Sequence, residues 1–105
     1  MPEFVLSPSH AGSVVLDIGG DTGALILHAP AEMLGREIDV TPAGAPDAHG
    51  THSLVRERQV SGTTTYAAVY PELPVGDYII WRNRANPVGT VTITGGQVTS
   101  HHWPS

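Results

Sequence analysis

The sequence predicts an all-β domain in which two antiparallel sheets pack face to face, and three observations lead there. The 12 glycines and 9 prolines punctuate short apolar segments at regular intervals. Several of those segments alternate apolar and polar residues, the period of a half-buried strand. The best helical stretch, residues 29–35, is long enough for one turn only, with Pro30 near its start and Gly35 at its end. At 105 residues the chain is one domain, and its 40% apolar content suffices for a core.

The elements follow in order. Residues 1–10 read as an N-terminal arm. Gly12–Ile18 reads as a strand with Val14, Leu16 and Ile18 on one face, and Gly19-Gly20-Asp21-Thr22-Gly23 as the turn into a returning strand, Ala24–His28. Arg36–Val40 alternates strictly, with Ile38 and Val40 inward and Glu37 and Asp39 outward. Thr41–Gly50 is the longest run of turn formers and predicts a mobile loop. His52–Val60 and Thr63–Tyr70 flank Ser61-Gly62, a two-residue hairpin turn. Pro71–Gly76 reads as a rigid connection into a strand over Asp77–Arg82, and Asn83–Pro87 as a further turn. Gly89–Thr94 sends Val91 and Ile93 inward and Thr90, Thr92 and Thr94 outward. Gly95-Gly96 then predicts a last hairpin onto Gln97–Trp103, with 101–105 as a tail. The total is seven or eight short strands, which two packed antiparallel sheets bury naturally.

Composition excludes several functions. The absence of cysteine removes disulfides, thiolate nucleophiles and cysteine zinc sites. A net charge of −5 argues against nucleic acid as a partner, since that needs a basic footprint. No apolar run approaches the roughly 18 residues of a membrane helix. The start, Met1–Pro8, lacks the basic region and apolar stretch of a secretory signal, so a cytoplasmic location is expected. Protonating all 6 histidines would carry the formal charge from −5 to +1, so self-association is expected in mildly acidic solution.

Tyr70-Pro71-Glu72-Leu73-Pro74-Val75-Gly76-Asp77-Tyr78 resembles the LPxGxY lead-in to a late strand of transthyretin-like sandwiches, which include Cna-B-type and carboxypeptidase-regulatory-like modules. Pro74 fixes φ, Gly76 permits a tight corner, and Tyr78 can pack inward with its hydroxyl at the rim. Gly35–Val40 resembles an earlier strand of the same fold. Together these segments span about a third of the chain. The sequence also resembles a group of small actinobacterial proteins, some labelled phospholipase, a label that no residue here supports. The resemblance implies a single transthyretin-like β-sandwich used as a binding scaffold. Two family properties do not carry over. The lysine–asparagine crosslink of Cna-B-type domains needs a lysine, and the chain has none. The hydroxyisourate hydrolases of the transthyretin family end in Tyr-Arg-Gly-Ser, whereas this chain ends His101-His102-Trp103-Pro104-Ser105.

Two sets of residues are functional candidates. Tyr66, Tyr70, Trp81, Arg82 and Arg84 concentrate on two expected neighbouring strands, and aromatic residues with arginine are the types enriched in interface hot spots. Tyr78 and Trp81 cannot share a face by strand alternation, so one of them lies outside the core. Asp47, His49 and His52, with the terminal His101 and His102, supply imidazole and carboxylate ligands suited to zinc, nickel or copper. The simpler reading of loop and tail histidines is as solvated side chains, and adjacent His101 and His102 should point to opposite faces. Asp17–Gly23 resembles the phosphate loop of the sugar-kinase and actin superfamily, but that fold needs two large α/β domains, and turn chemistry explains these residues. Gly-x-Ser-x-Gly is absent, and the pair Glu37 and Asp39 falls on an outer face. The sequence therefore predicts no enzyme and no resident cofactor. It predicts an interaction module that pairs with another protein or with itself as a homo-oligomer, with metal binding as the alternative and a small hydrolase as the third reading.

Overall fold

The computed structural model describes residues 18–45, 50–83 and 85–104. Among them run β1 (Thr22–His28), a 3-10 turn (Ala31–Met33), β2 (Glu37–Pro42), β3 (Thr51–Leu54), β4 (Arg56–Val60), β5 (Thr63–Pro74), β6 (Gly76–Asn83), β7 (Asn86–Ile93) and β8 (Val98–His102). They form two four-stranded sheets, ordered β4-β5-β1-β8 and β3-β2-β6-β7. The fold is all-β, as the punctuation and alternation predict. The expected arm over 1–10 and residues 12–17 of the expected first strand lie outside the described residues, as do residues 46–49 of the expected loop.

Alternation sets which side chains meet. Leu25 and Leu27 of β1, Ile38 and Val40 of β2, Tyr78 and Ile80 of β6, and Val91 and Ile93 of β7 are all buried in one cluster. Ala68, Tyr70 and Leu73 of β5 complete it, and Met33, Val55 and Trp103 close it from outside the strands. Each buried Leu, Ile or Val contributes about 1.5–3 kcal/mol relative to exposure. Both sheets therefore bury one face against the same core. The outward residues of β2 and β7 also fall where alternation puts them: Glu37, Thr90 and Thr92 are exposed. Ser61 (φ 51°) and Gly62 (φ 79°) make the positive-φ hairpin turn between β4 and β5.

Four expectations are corrected. His52–Val60 is not one strand: the chain changes sheet at Val55, so β3 and β4 belong to different sheets. Val55 is buried, and its N–H donates to the Arg36 carbonyl (2.9 Å) while its own carbonyl accepts from Gly35 (2.9 Å), leaving neither peptide group orphaned. Pro71–Pro74 is not a connection but the end of β5, because a bulge opposite Gly23–Leu25 accommodates Pro71 and Glu72, both exposed. The expected turn at Asn83–Pro87 is shorter than predicted, since β7 begins at Asn86 and takes Pro87 beside a bulge on an edge strand. Finally, Gly95-Gly96 does not close a hairpin. β8 leaves the sheet of β7, crosses to the other sheet and pairs parallel to β1, with Ala24 opposite Val98 and His28 opposite His102. The sheets are thus not wholly antiparallel.

Candidate functional site

The aromatic–arginine set does not form one surface. Tyr70 is 2% exposed and its hydroxyl donates to the Ile38 carbonyl at 2.6 Å, so it is a core residue that ties β5 to β2 of the facing sheet. Burial, with the Asp39 carboxylate second, pushes its phenol well above the usual tyrosine range. Tyr66 is half-buried and packs against the same core. Arg82 is exposed and its guanidinium lies 5.4 Å from the ring centroid of Trp103, so it spends its cation on the chain's own aromatic. Arg84 lies outside the described residues.

Trp81 is the member that faces away from the core. Tyr78 and Ile80 point inward, so Ile79 and Trp81, both half-buried, stand on the outer face of β6. The Trp81 indole Nε1–H donates to the Thr41 hydroxyl of neighbouring β2 at 2.9 Å, which fixes the ring across that face. Thr90 and Thr92 of β7 share this face, and the Thr92 hydroxyl donates to the Asp77 carboxylate at 2.6 Å. The result is a small apolar centre of Ile79 and Trp81 flanked by Thr41, Thr90 and Thr92, with Asp39 directly opposite Trp81 and Asp77 beside Thr92 on the same face.

The histidines fall on opposite borders of the molecule. His52 sits on β3, opposite Asp39, with Nε2 3.6 Å from the Glu37 carboxylate, and both partners are well exposed. Such a pair contributes little. β3 lies against β5, whereas β8, which carries His101 and His102, lies against β7. The order β3-β2-β6-β7 puts three strand spacings, about 14 Å, between the two borders. His52 and the terminal pair therefore do not converge, and Asp47 and His49 lie outside the described residues. Among the described residues no group of three or more His, Asp or Glu side chains is placed to hold a metal ion.

His101 and His102 diverge as alternation requires. His101 turns toward Gly89 of β7. His102 instead stacks on His28 of β1, with ring centroids 4.8 Å apart and planes at 22°. Burial first, and the neighbouring His102 second, hold the His28 imidazole below its ordinary proton affinity. This histidine pair is invisible in the sequence, where its members are 74 positions apart, because alternation reports a residue's face but not its partner strand.

Two motifs find structural explanations. The glycine turn at Gly19–Gly23 is covered by the segment that leads into β8: Gly96 N–H donates to the Thr22 carbonyl (2.8 Å) and Ala24 N–H to the Gln97 carbonyl (3.0 Å). A Cβ on Gly95 would collide with the Gly20 carbonyl, and one on Gly23 with the Thr94 carbonyl, so glycine at these two positions permits close backbone approach. In the LPxGxY segment, Gly76 takes φ +141° and the Tyr78 hydroxyl donates to the Pro74 carbonyl at 2.7 Å. That bond spans the corner between β5 and β6, as a tyrosine corner does in other two-sheet β proteins. Among the described residues no helix is long and apolar enough to cross a membrane. Comparison with protein-family models, curated proteins and solved structures finds no match to this chain.

Proposed function

We propose that the protein is a small non-catalytic interaction module of the cytoplasm, built as a transthyretin-like sandwich, that associates with a second copy of itself. The sandwich reading is supported by two four-stranded sheets sharing one core and by the Tyr78 corner in the LPxGxY segment. The observation that carries self-association is the outward placement of Ile79 and Trp81, with Thr41, Thr90 and Thr92 around them. Aromatic anchors at the centre of a lightly charged patch are the residues that dominate binding energy when desolvated. A twofold axis, the commonest arrangement of homo-oligomers, would set this patch against the same patch of the second copy.

Light scattering coupled to size-exclusion chromatography, run over a range of concentrations, tests the reading. The wild type elutes as a dimer that dissociates on dilution, and Ile79→Glu, which sets a carboxylate at the middle of the patch, is monomeric with an unchanged far-UV spectrum. A wild type that is monomeric throughout, or a dimer indifferent to Ile79→Glu, would remove this face from consideration.

A further inference from the structure

The stacked pair on β1 and β8 sets two imidazoles side by side on one face of the sheet. His28 and His102 are direct partners in a parallel ladder, so both side chains leave the same face of their sheet. That is the outer face: Leu25 and Leu27 of β1 fill the core, while Ile26 and His28 are half-buried on the other side. His102 is exposed, so the pair is open to solvent. Two imidazoles bound to one ion at metal–nitrogen distances of about 2.0–2.1 Å place their ring centroids about 4.5 Å apart for a right angle at the metal and about 5.2 Å apart for a tetrahedral one. The observed 4.8 Å lies between these values. The rings are stacked and their nitrogens do not yet converge, but rotation about each Cβ–Cγ bond swings the nitrogens while leaving the centroids nearly in place.

We propose that His28 and His102 form a two-histidine site for a borderline divalent transition-metal ion, of the zinc, nickel or copper class, that clamps β8 to β1. Neutral imidazole is the ligand form. Imidazole selects this metal class over magnesium and calcium, which take oxygen ligands. Solvent oxygen completes the coordination sphere. The site shares His102 with the set that the sequence suggests but pairs it with His28 of β1 in place of Asp47, His49 and His52, and it stands independently of the self-association reading.

Calorimetric titration of the full chain with nickel chloride, then zinc chloride and magnesium chloride, in a non-chelating buffer tests the site. Nickel and zinc bind and magnesium does not. His28→Gln and His102→Gln each weaken binding by about tenfold or more, while His52→Gln and His101→Gln leave it unchanged. Far-UV circular dichroism checks that the variants keep their strands. A readout that needs no variant is the histidine ring-proton spectrum of the wild type, in which substoichiometric copper broadens the signals of His28 and His102 first. Absence of nickel and zinc binding, binding undiminished in both His28→Gln and His102→Gln, or broadening confined to other histidines would overturn the assignment.

Discussion

Among the described residues, β4 and β8 border the same sheet, yet they expose their unpaired backbone groups in different company. β4 carries Arg56, Glu57 and Arg58 in succession, and Gln59 donates to the Glu57 carboxylate (3.2 Å) and to Thr64 (2.8 Å). β8 reads Val98-Thr99-Ser100-His101-His102, without a formal charge at neutral pH. Charged side chains on an edge strand oppose pairing with another chain, because docking would desolvate them. β4 holds that defence permanently. β8 has no Asp, Glu, Lys or Arg to supply it, and directly after it comes Trp103, one of the residues that close the core. The lesson is that one border is built to remain a border, while the other is a structural strand without that defence.

The largest test of this contrast removes side chains from each border. Trp103→Ala should cost about 3–5 kcal/mol, read as a fall in the urea midpoint. Val60→Ala, at the 56% exposed end of β4, should stay within about 0.5 kcal/mol. Equal losses would dissolve the distinction between a structural and a merely bordering strand.

A smaller effect appears on acidification. The folded-state affinity of His28 for a proton is lowered, by burial and then by His102. The unfolded chain therefore binds that proton more readily, so the contribution of His28 to stability is present above the ordinary histidine value of about 6.5 and is lost as pH falls through the lower folded value. Urea midpoints measured at neutral pH and on either side of that window should drop more steeply in the wild type than in His28→Gln. Parallel curves would show that the stacked pair does not couple to folding.

The smallest effect on stability, with a visible one on solubility, comes from discharging β4. Burial, with Arg56 second, lowers the proton affinity of the Arg58 guanidinium, and its Nε is buried without a hydrogen-bond partner. Arg56→Thr combined with Arg58→Val should leave the unfolding free energy within about 0.5 kcal/mol while raising light scattering at high protein concentration. A clear solution with unaltered scattering would mean that the geometry of β4, rather than its charge, protects that border.

The elements that the sequence makes legible are those settled by local chemistry. Ile38 and Val40, Val91 and Ile93, the 3-10 turn between Pro30 and Gly35, and the Ser61-Gly62 turn follow from periodicity and from residues that tolerate special φ. The inward Tyr78 with its hydroxyl at the rim was equally readable. Decisions of partner were not. Nothing in His52–Val60 marks Val55 as the point where the chain changes sheets, since an apolar residue there fits a continuous strand as well. Tyr70 carries the composition of an interface residue, and only its hydroxyl bond to Ile38, 32 positions away, reveals a core role. The candidate site shows the same divide: alternation puts either Tyr78 or Trp81 outside the core without saying which, and the His28–His102 pair depends on a parallel ladder that no turn signal announces.

That ladder also sets a clock. Ala24 meets Val98 across 74 positions of sequence, and at about 5–20 residues per second a ribosome needs roughly 4–15 s to make the intervening chain. Throughout that interval one side of Leu25-Ile26-Leu27 lacks its β8 neighbour, and β5 covers the other side once it has been made. A nascent chain holding such an apolar strand half-paired is the form that chaperones sequester, so slowing synthesis between β5 and β8 should cost yield before it costs anything in the finished molecule.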